Sequence, residues 1–141
     1  FQDNTVVKKY MAVVKGILED DNGTIDEPIG RPVDGVIKRT VMPDGAPSVT
    51  HYRVLERFKE HTLVELTLET GRTHQIRVHM THIGHPIVGD DLYGDSEDLI
   101  NRQALHASQV IFDHPVTKER MSVSADLPQD IKLLIQELKS K

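Results

Sequence analysis

The chain has 141 residues and a mass of 15.9 kDa, which is the size of a single domain with one hydrophobic core. The apolar fraction is 38%, the charged fraction is 28%, and no apolar run approaches the roughly 20 residues that span a bilayer. Cysteine is absent, which excludes disulfides and thiolate metal sites and fits a reducing compartment. The composition therefore predicts a cytoplasmic globular protein without a membrane segment.

The formal net charge is −5 and the sequence pI about 5.9, so the chain lacks the overall basic excess of a protein that binds nucleic acid through phosphates alone. The charge is nevertheless uneven. Residues 71–88 contain two arginines, four histidines and no acidic residue. The sequence therefore predicts one local basic surface.

The first half of the chain has the pattern of strands. Residues 5–16 are rich in β-branched side chains and end in glycine, which predicts a strand that contains Tyr10. Residues 17–47 contain eight glycines and prolines, which predict loops with short strands. Residues 49–58 and 63–69 follow as a predicted hairpin, because apolar and polar residues alternate in the second segment.

The pattern then changes to a helical period. Ile76, Met80 and Ile83 recur at helical spacing before Gly84, which predicts a helix over residues 73–83. A second short helix is predicted from Ser96, as N-cap, to about residue 103.

Two strands and a helix complete the chain. Strands are predicted near residues 110–112 and 121–124, with a turn at 113–115. A terminal helix that begins near Pro128 is predicted by four apolar residues on one face, namely Ile131, Leu134, Ile135 and Leu138. Strands in the first half and helices between later strands predict an α+β domain with a mostly antiparallel sheet flanked by helices.

Two arginines and four histidines are the candidates for chemistry in residues 71–88. Arg72 and Arg77 have the forked guanidinium that pairs with phosphate or carboxylate, although a solvated helix face is the alternative for each. The histidines do not have the spacing of a metal site, because His74 and His79 are five residues apart and no HExxH motif is present. We therefore predict no metal site. Pattern alone places Tyr10 in the core.

Residues 71–94, GRTHQIRVHMTHIGHPIVGDDLYG, closely resemble the signature of the ribosomal large-subunit-type pseudouridine synthases. Three further segments match in the same order, KKYMAVVKG at 8–16, THYRVLERF at 50–58 and ALHASQVIFDHP at 104–115. The resemblance implies a cofactor-free isomerase that breaks the N-glycosidic bond of a uridine in RNA, turns the uracil and rejoins it through carbon 5.

The resemblance also assigns residues to the site. Tyr10 lies at the position of the family tyrosine that stacks on the target base and accepts the proton from carbon 5. Arg77 lies at the basic position that pairs with the nucleophilic aspartate, and Arg72, His74 and Gln75 flank it as substrate-binding or site-shaping residues.

The family nucleophile is an aspartate in an HRLD-type motif that precedes the segment of Tyr10, and this motif is absent from the chain. We therefore expect residues 1–141 to be one domain, the C-terminal portion of a catalytic domain without its nucleophile, and to be inactive alone. The expected partner is ribosomal or transfer RNA, with no metal and no membrane, and the oligomeric state stays open. The alternatives are a non-catalytic RNA-binding fragment or paralogue and, more distantly, a histidine-rich metal hydrolase.

Overall fold

The computed structural model describes residues 6–33, 37–94 and 99–141. Within them the chain forms eight strands and two helices. In chain order these are β1 (Val7–Lys15), β2 (Asn22–Asp26), β3 (Ile29–Gly30), β4 (Thr40–Val41), β5 (Val49–Arg57), β6 (His61–Leu68), α1 (Gln75–His82), β7 (Leu105–Asp113), β8 (Arg120–Ser124) and α2 (Gln129–Lys139).

Six of these strands form one sheet in the order β2-β5-β6-β1-β7-β8, and β3 and β4 form a small second sheet. Every pairing among the described strands is antiparallel. The prediction of an α+β fold with a mostly antiparallel sheet is confirmed. No helix of the described residues is both long and apolar enough to cross a membrane.

β1 lies inside the sheet because its middle is apolar on both faces. Ala12, Val13 and Val14 are at most 1% exposed and belong to the main core cluster. β1 pairs with β6 from Lys8 to Lys15 and with β7 through a register shift at Lys9 and Tyr10. The four apolar residues of the predicted stripe on α2 are all buried in the same core cluster.

Cross-strand pairing identifies the sheet face on which α1 lies. Thr50 of β5 pairs with Leu68 of β6, and Leu68 pairs with Lys8 of β1, so these three side chains share one face. Gln75 and His79 of α1 both form hydrogen bonds to the Thr50 hydroxyl. α1 therefore covers this face of the sheet.

Two predicted elements differ from the structure. Residues 99–103 form a turn and bends, so the second short helix is wrong over these residues, while its proposed N-cap Ser96 lies outside the described residues. Leu99 and Ile100 instead pack against the core. β7 is longer than predicted and begins at Leu105, because its first half pairs with β1. The hairpin, the α1 segment and the terminal helix are confirmed.

Candidate functional site

α1 begins at a hydrogen-bond network centred on Gln75. This residue is 2% exposed, and its amide oxygen accepts hydrogen bonds from the Thr70 hydroxyl (2.7 Å) and from the Arg72 backbone N–H (3.0 Å). Its amide nitrogen donates to the Val49 carbonyl (3.0 Å) and to the Thr50 hydroxyl oxygen (2.9 Å). All four hydrogen-bonding positions of the amide are used, so Gln75 joins the loop before α1 to the start of β5.

His79 continues this network one turn further along α1. It is fully buried, and its Nε2 lies 2.9 Å from the Glu27 carbonyl, which can only accept, so the ring proton belongs on Nε2. Nδ1 then accepts from the Thr50 hydroxyl at 2.8 Å. Burial lowers the pKa of His79, which favours the neutral ring. His79 is therefore a structural hydrogen-bonding residue.

Arg77 lies on α1 between these two residues and forms a bidentate ion pair with Asp90. Its Nε donates to Oδ2 at 2.8 Å and its Nη2 donates to Oδ1 at 2.9 Å. The Asp90 side chain is fully buried, whereas that of Arg77 is 14% exposed. Its Nη1 has no hydrogen-bond partner among the described residues. One edge of the guanidinium is thus occupied and the other is open.

The charges of this pair stabilise each other. The hydrogen bond to Asp90 raises the pKa of Arg77. Burial alone would raise the pKa of Asp90, but the hydrogen bonds from Arg77 and from the backbone N–H groups of Tyr93 and Leu92 outweigh it, and the pKa lies below its ordinary value. Both groups are therefore charged at neutral pH.

The segment before Asp90 is hydrogen-bonded directly to β1. The Val88 N–H donates to the Val13 carbonyl at 2.9 Å, and the Lys15 N–H donates to the Pro86 carbonyl at 2.9 Å. Gly89 has φ +82°, and a Cβ at this position would lie 2.1 Å from the Arg102 carbonyl oxygen, so only glycine fits here. The backbone thereby fixes the position of Asp90 relative to the central strand.

The Tyr93 ring packs against the guanidinium of Arg77. The Arg77 guanidinium lies 5.0 Å from the centroid of the Tyr93 ring, and Lys38 Nζ lies 5.6 Å from it, both within the range of cation–π contacts. The Tyr93 hydroxyl accepts a hydrogen bond from the Arg39 backbone N–H at 2.8 Å. Its own hydrogen is available to His74, whose Nδ1 lies 2.6 Å away.

His74 stands at the N-cap of α1 with φ 58° and ψ 21°, in the left-handed region. This conformation explains why α1 begins two residues after its predicted start, and it costs conformational energy in a non-glycine residue. Burial and the charges of Arg77 and Arg39 lower the pKa of His74, so the ring is neutral at neutral pH. With Nδ1 as acceptor for Tyr93, the ring proton belongs on Nε2.

Tyr10 lies on the same face of the sheet as α1. It pairs with Leu66, which pairs with Tyr52, two residues along each strand from the row that contains Thr50. The ring is half-buried and packs against the core cluster. No hydrogen bond or cation–π contact joins Tyr10 to Arg77 among the described residues. The family resemblance predicts that Tyr10 and Arg77 line one cleft, and this stays a prediction.

Arg72 lines an open pocket of about 350 Å³. The pocket is also lined by Lys8 and Leu68, the cross-strand pair adjacent to Tyr10 and Leu66. Arg72 Nε donates to the Pro47 carbonyl at 2.8 Å, and its two terminal nitrogens have no partner among the described residues.

Sequence reasoning missed Asp90, Tyr93 and Arg39 as members of this cluster. It interpreted the acidic segment around Asp90 as turn chemistry, and Oδ1 of Asp90 does accept the N–H groups of the following turn. The available signal was that Asp90 is the first acidic residue after residues 70–89, which contain two arginines and no carboxylate. Within residues 6–33, 37–94 and 99–141, no three histidine, aspartate or glutamate residues are grouped as metal ligands would be.

The family model for RNA pseudouridylate synthase matches residues 1–82. The uncharacterized RNA pseudouridine synthase YjbO of Bacillus subtilis is 52% identical over 136 residues, which cover 96% of this chain and 48% of the relative. Ribosomal large subunit pseudouridine synthase D of Haemophilus influenzae is 44% identical over 156 residues, which cover 99% of this chain and 47% of the relative.

Solved structures give the same result. Human RNA pseudouridylate synthase domain containing 1 superposes with a TM-score of 0.75 at 30% identity, over 99% of this chain and 68% of the human one. Human RNA pseudouridylate synthase domain containing 4 also superposes with a TM-score of 0.75, at 28% identity, over 95% of this chain and 62% of the human one. The chain spans about half the length of the curated relatives that it matches. It belongs to the RNA pseudouridylate synthase family.

Proposed function

We propose that the whole protein is an RNA pseudouridine synthase that isomerises specific uridines without a cofactor. The observation that carries this proposal is the guanidinium of Arg77, which is held by Asp90 and Tyr93 while its Nη1 has no hydrogen-bond partner in residues 6–33, 37–94 and 99–141. A fixed arginine with an open edge is suited to hold a second carboxylate, which the reaction requires as nucleophile.

The proposed roles follow the chemistry of the reaction. A carboxylate must attack the sugar or assist the departure of uracil, and Arg77 keeps that carboxylate ionised and oriented. Tyr10 stacks on the flipped base and accepts the proton from carbon 5 after the new carbon–carbon bond has formed. The nucleophile comes from a segment outside the 141 residues, so we propose that these residues are the C-terminal portion of the catalytic domain. The half-length match to the relatives supports this assignment.

RNA is the proposed partner, and the charge distribution supports a local contact. Among the described residues, the two terminal nitrogens of Arg72 have no partner at the pocket beside Lys8, and we assign them to a phosphate of the RNA backbone. Gln75 positions the Arg72 loop, and the neutral His74 presents its Nε2–H to the substrate. The relatives named for the ribosomal large subunit make ribosomal RNA the first substrate to test, and the proposed compartment is the cytoplasm.

The test follows tritium release from RNA that contains [5-³H]uridine, because carbon 5 loses its hydrogen to solvent as a proton once it is bonded to the sugar. We expect the whole protein to release tritium, and Tyr10→Phe, which keeps the ring and loses the hydroxyl, to release it at least about 100-fold more slowly with similar RNA affinity. Full activity of Tyr10→Phe would remove Tyr10 from the proton transfer. Absence of release from the whole protein with every uridine-containing RNA tested would refute the function.

The alternative, an RNA-binding fragment or paralogue without catalysis, is favoured by the absence of the nucleophile motif from the 141 residues. We expect these residues alone to bind RNA weakly and to release no tritium. Arg72→Ala in the whole protein should weaken binding and reduce the slope of log K against log salt by about 1. An unchanged slope would assign Arg72 to structure alone. Binding without turnover by the whole protein would support the alternative.

A further inference from the structure

We propose that Asp90 is a positioning residue of the reaction, which holds the Arg77 guanidinium with its Nη1 edge turned to the nucleophile. This inference rests on the proposed function. It assigns to a buried residue of this chain a part in catalysis that does not involve contact with the substrate.

The geometry of the guanidinium supports the proposal. The planar fork has two hydrogen-bonding edges, one formed by Nε and Nη2 and the other by Nη1 and Nη2. Asp90 occupies the first edge with bonds of 2.8 and 2.9 Å. This leaves three N–H groups, two on Nη1 and one on Nη2, for a second carboxylate. Arg77 is therefore able to bind two carboxylates at once, one structural and one reactive.

The surroundings of Asp90 show why it is suited to this part. Its side chain is fully buried, and Oδ1 also accepts hydrogen bonds from the N–H groups of Leu92 (3.1 Å) and Tyr93 (3.2 Å). The preceding Val88 is hydrogen-bonded to Val13 of β1, the strand that carries Tyr10. Asp90 thus connects the position of Arg77 to the position of the proposed proton acceptor.

A purely structural ion pair is the competing explanation, and it predicts a different result. Breaking a structural pair lowers stability and leaves turnover per folded molecule unchanged. Removing a positioning residue lowers kcat, because a misplacement of about 1 Å at a reacting group costs roughly 100-fold in rate. A measurement of kcat on folded protein therefore distinguishes the two explanations.

The experiment uses the whole protein with Asp90→Asn, and Asp91→Asn as control for the same loss of charge at an exposed neighbour. The asparagine oxygen still accepts from Leu92 and Tyr93, so the turn is retained. Asp90→Ser, which also preserves turn hydrogen bonding, is the second variant if Asp90→Asn does not fold. We expect kcat to fall about 100-fold with KM within about threefold for Asp90→Asn. The control should stay within about twofold in both.

Two further readouts identify Arg77 as the intermediary. Asp90→Asn added to Arg77→Lys should lower kcat no further than Arg77→Lys alone, because both changes remove the same placement. The Nε–H of Arg77 should be protected from exchange in a ¹H–¹⁵N spectrum of the wild type and unprotected in Asp90→Asn. This spectrum does not depend on activity, so it tests the placement of Arg77 even if the proposed function fails. Wild-type kcat in Asp90→Asn, additive losses in the double variant or an equally protected Nε–H would each overturn the proposal.

Discussion

Replacement of Gln75 by leucine tests whether the hydrogen-bond network at the start of α1 stabilises the fold. The leucine side chain has a similar volume and fills the same space, so the change removes hydrogen bonds without creating a large cavity. The partners that lose a bond are the Thr70 hydroxyl, the Arg72 N–H, the Val49 carbonyl and the Thr50 hydroxyl oxygen.

The expected magnitude follows from what each partner retains. The Val49 carbonyl still accepts from the Glu69 N–H, and the Thr50 hydroxyl still donates to His79, so neither is left wholly unpaired. Four bonds at about 1 kcal/mol each, less about 1 kcal/mol from the added apolar burial, give a loss near 3 kcal/mol in the free energy of unfolding.

The assay is urea unfolding followed by far-UV circular dichroism, because the chain has no tryptophan. Gln136→Leu is the matched control, since Gln136 is exposed on α2 and leucine and glutamine have similar helix propensities. The control should lie within about 0.5 kcal/mol of the wild type. A loss below about 1 kcal/mol for Gln75→Leu, at an unchanged slope against urea, would refute the reasoning.

Two further predictions concern stability. Alanine at Gly71 should leave the free energy of unfolding unchanged, because a Cβ there meets nothing. Alanine at Gly84, which has φ +90° and open space around it, should lower this free energy by about 1 kcal/mol. Alanine at Gly89, whose Cβ would clash with the Arg102 carbonyl, should lower it by about 3 kcal/mol or more. Urea unfolding gives the order, and a Gly89 cost equal to that of Gly84 would contradict it. Because burial lowers the pKa of His79, the unfolded chain binds its proton first as pH falls below about 6.5, and stability falls with it. His79→Gln should make the loss of unfolding free energy between pH 6.5 and 5.5 smaller by up to about 1 kcal/mol, and equal slopes would show that His79 does not titrate on unfolding.

The sequence predicted the fold best where a regular pattern of apolar residues extended over a whole element. The stripe on α2 and the alternation in β6 predicted both elements, because apolar residues recur at the helix period in the first and at the strand period in the second. The first half of β7 was missed, since Leu105–Asp113 becomes a strand through its pairing with β1, a partner about 95 residues away. The helix predicted over residues 99–103 is wrong for a related reason. Leu99 and Ile100 pack on the core, and this tertiary contact outweighs the local capping signal.

The site was predictable only in part, for a related reason. Arg77 and Tyr10 stood out through the family resemblance, and their catalytic roles stay predictions. Asp90 did not stand out, because an aspartate among glycines is typical of a turn and its bond to an arginine 13 residues away depends on the path of residues 83–89. A local pattern identifies a turn, but the partner of the turn carboxylate is a property of the fold.

The charge balance at the site gives a physical account of how a chain with a net charge of −5 is suited to the proposed RNA substrate. The charges of Arg77 and Asp90 cancel at the distance of the RNA phosphates, so Arg77 acts on the nucleophile through its N–H groups and adds little long-range potential. The positive potential near the site must then come from other residues, and Lys38 and Arg39 beside Tyr93 are placed to supply it. Neutralising Lys38 should therefore lower RNA affinity more than kcat, whereas neutralising Asp90 should lower kcat more than affinity. On this account, attraction of the phosphates and orientation of the nucleophile are separate tasks of separate cations, and only the first requires an excess of positive charge.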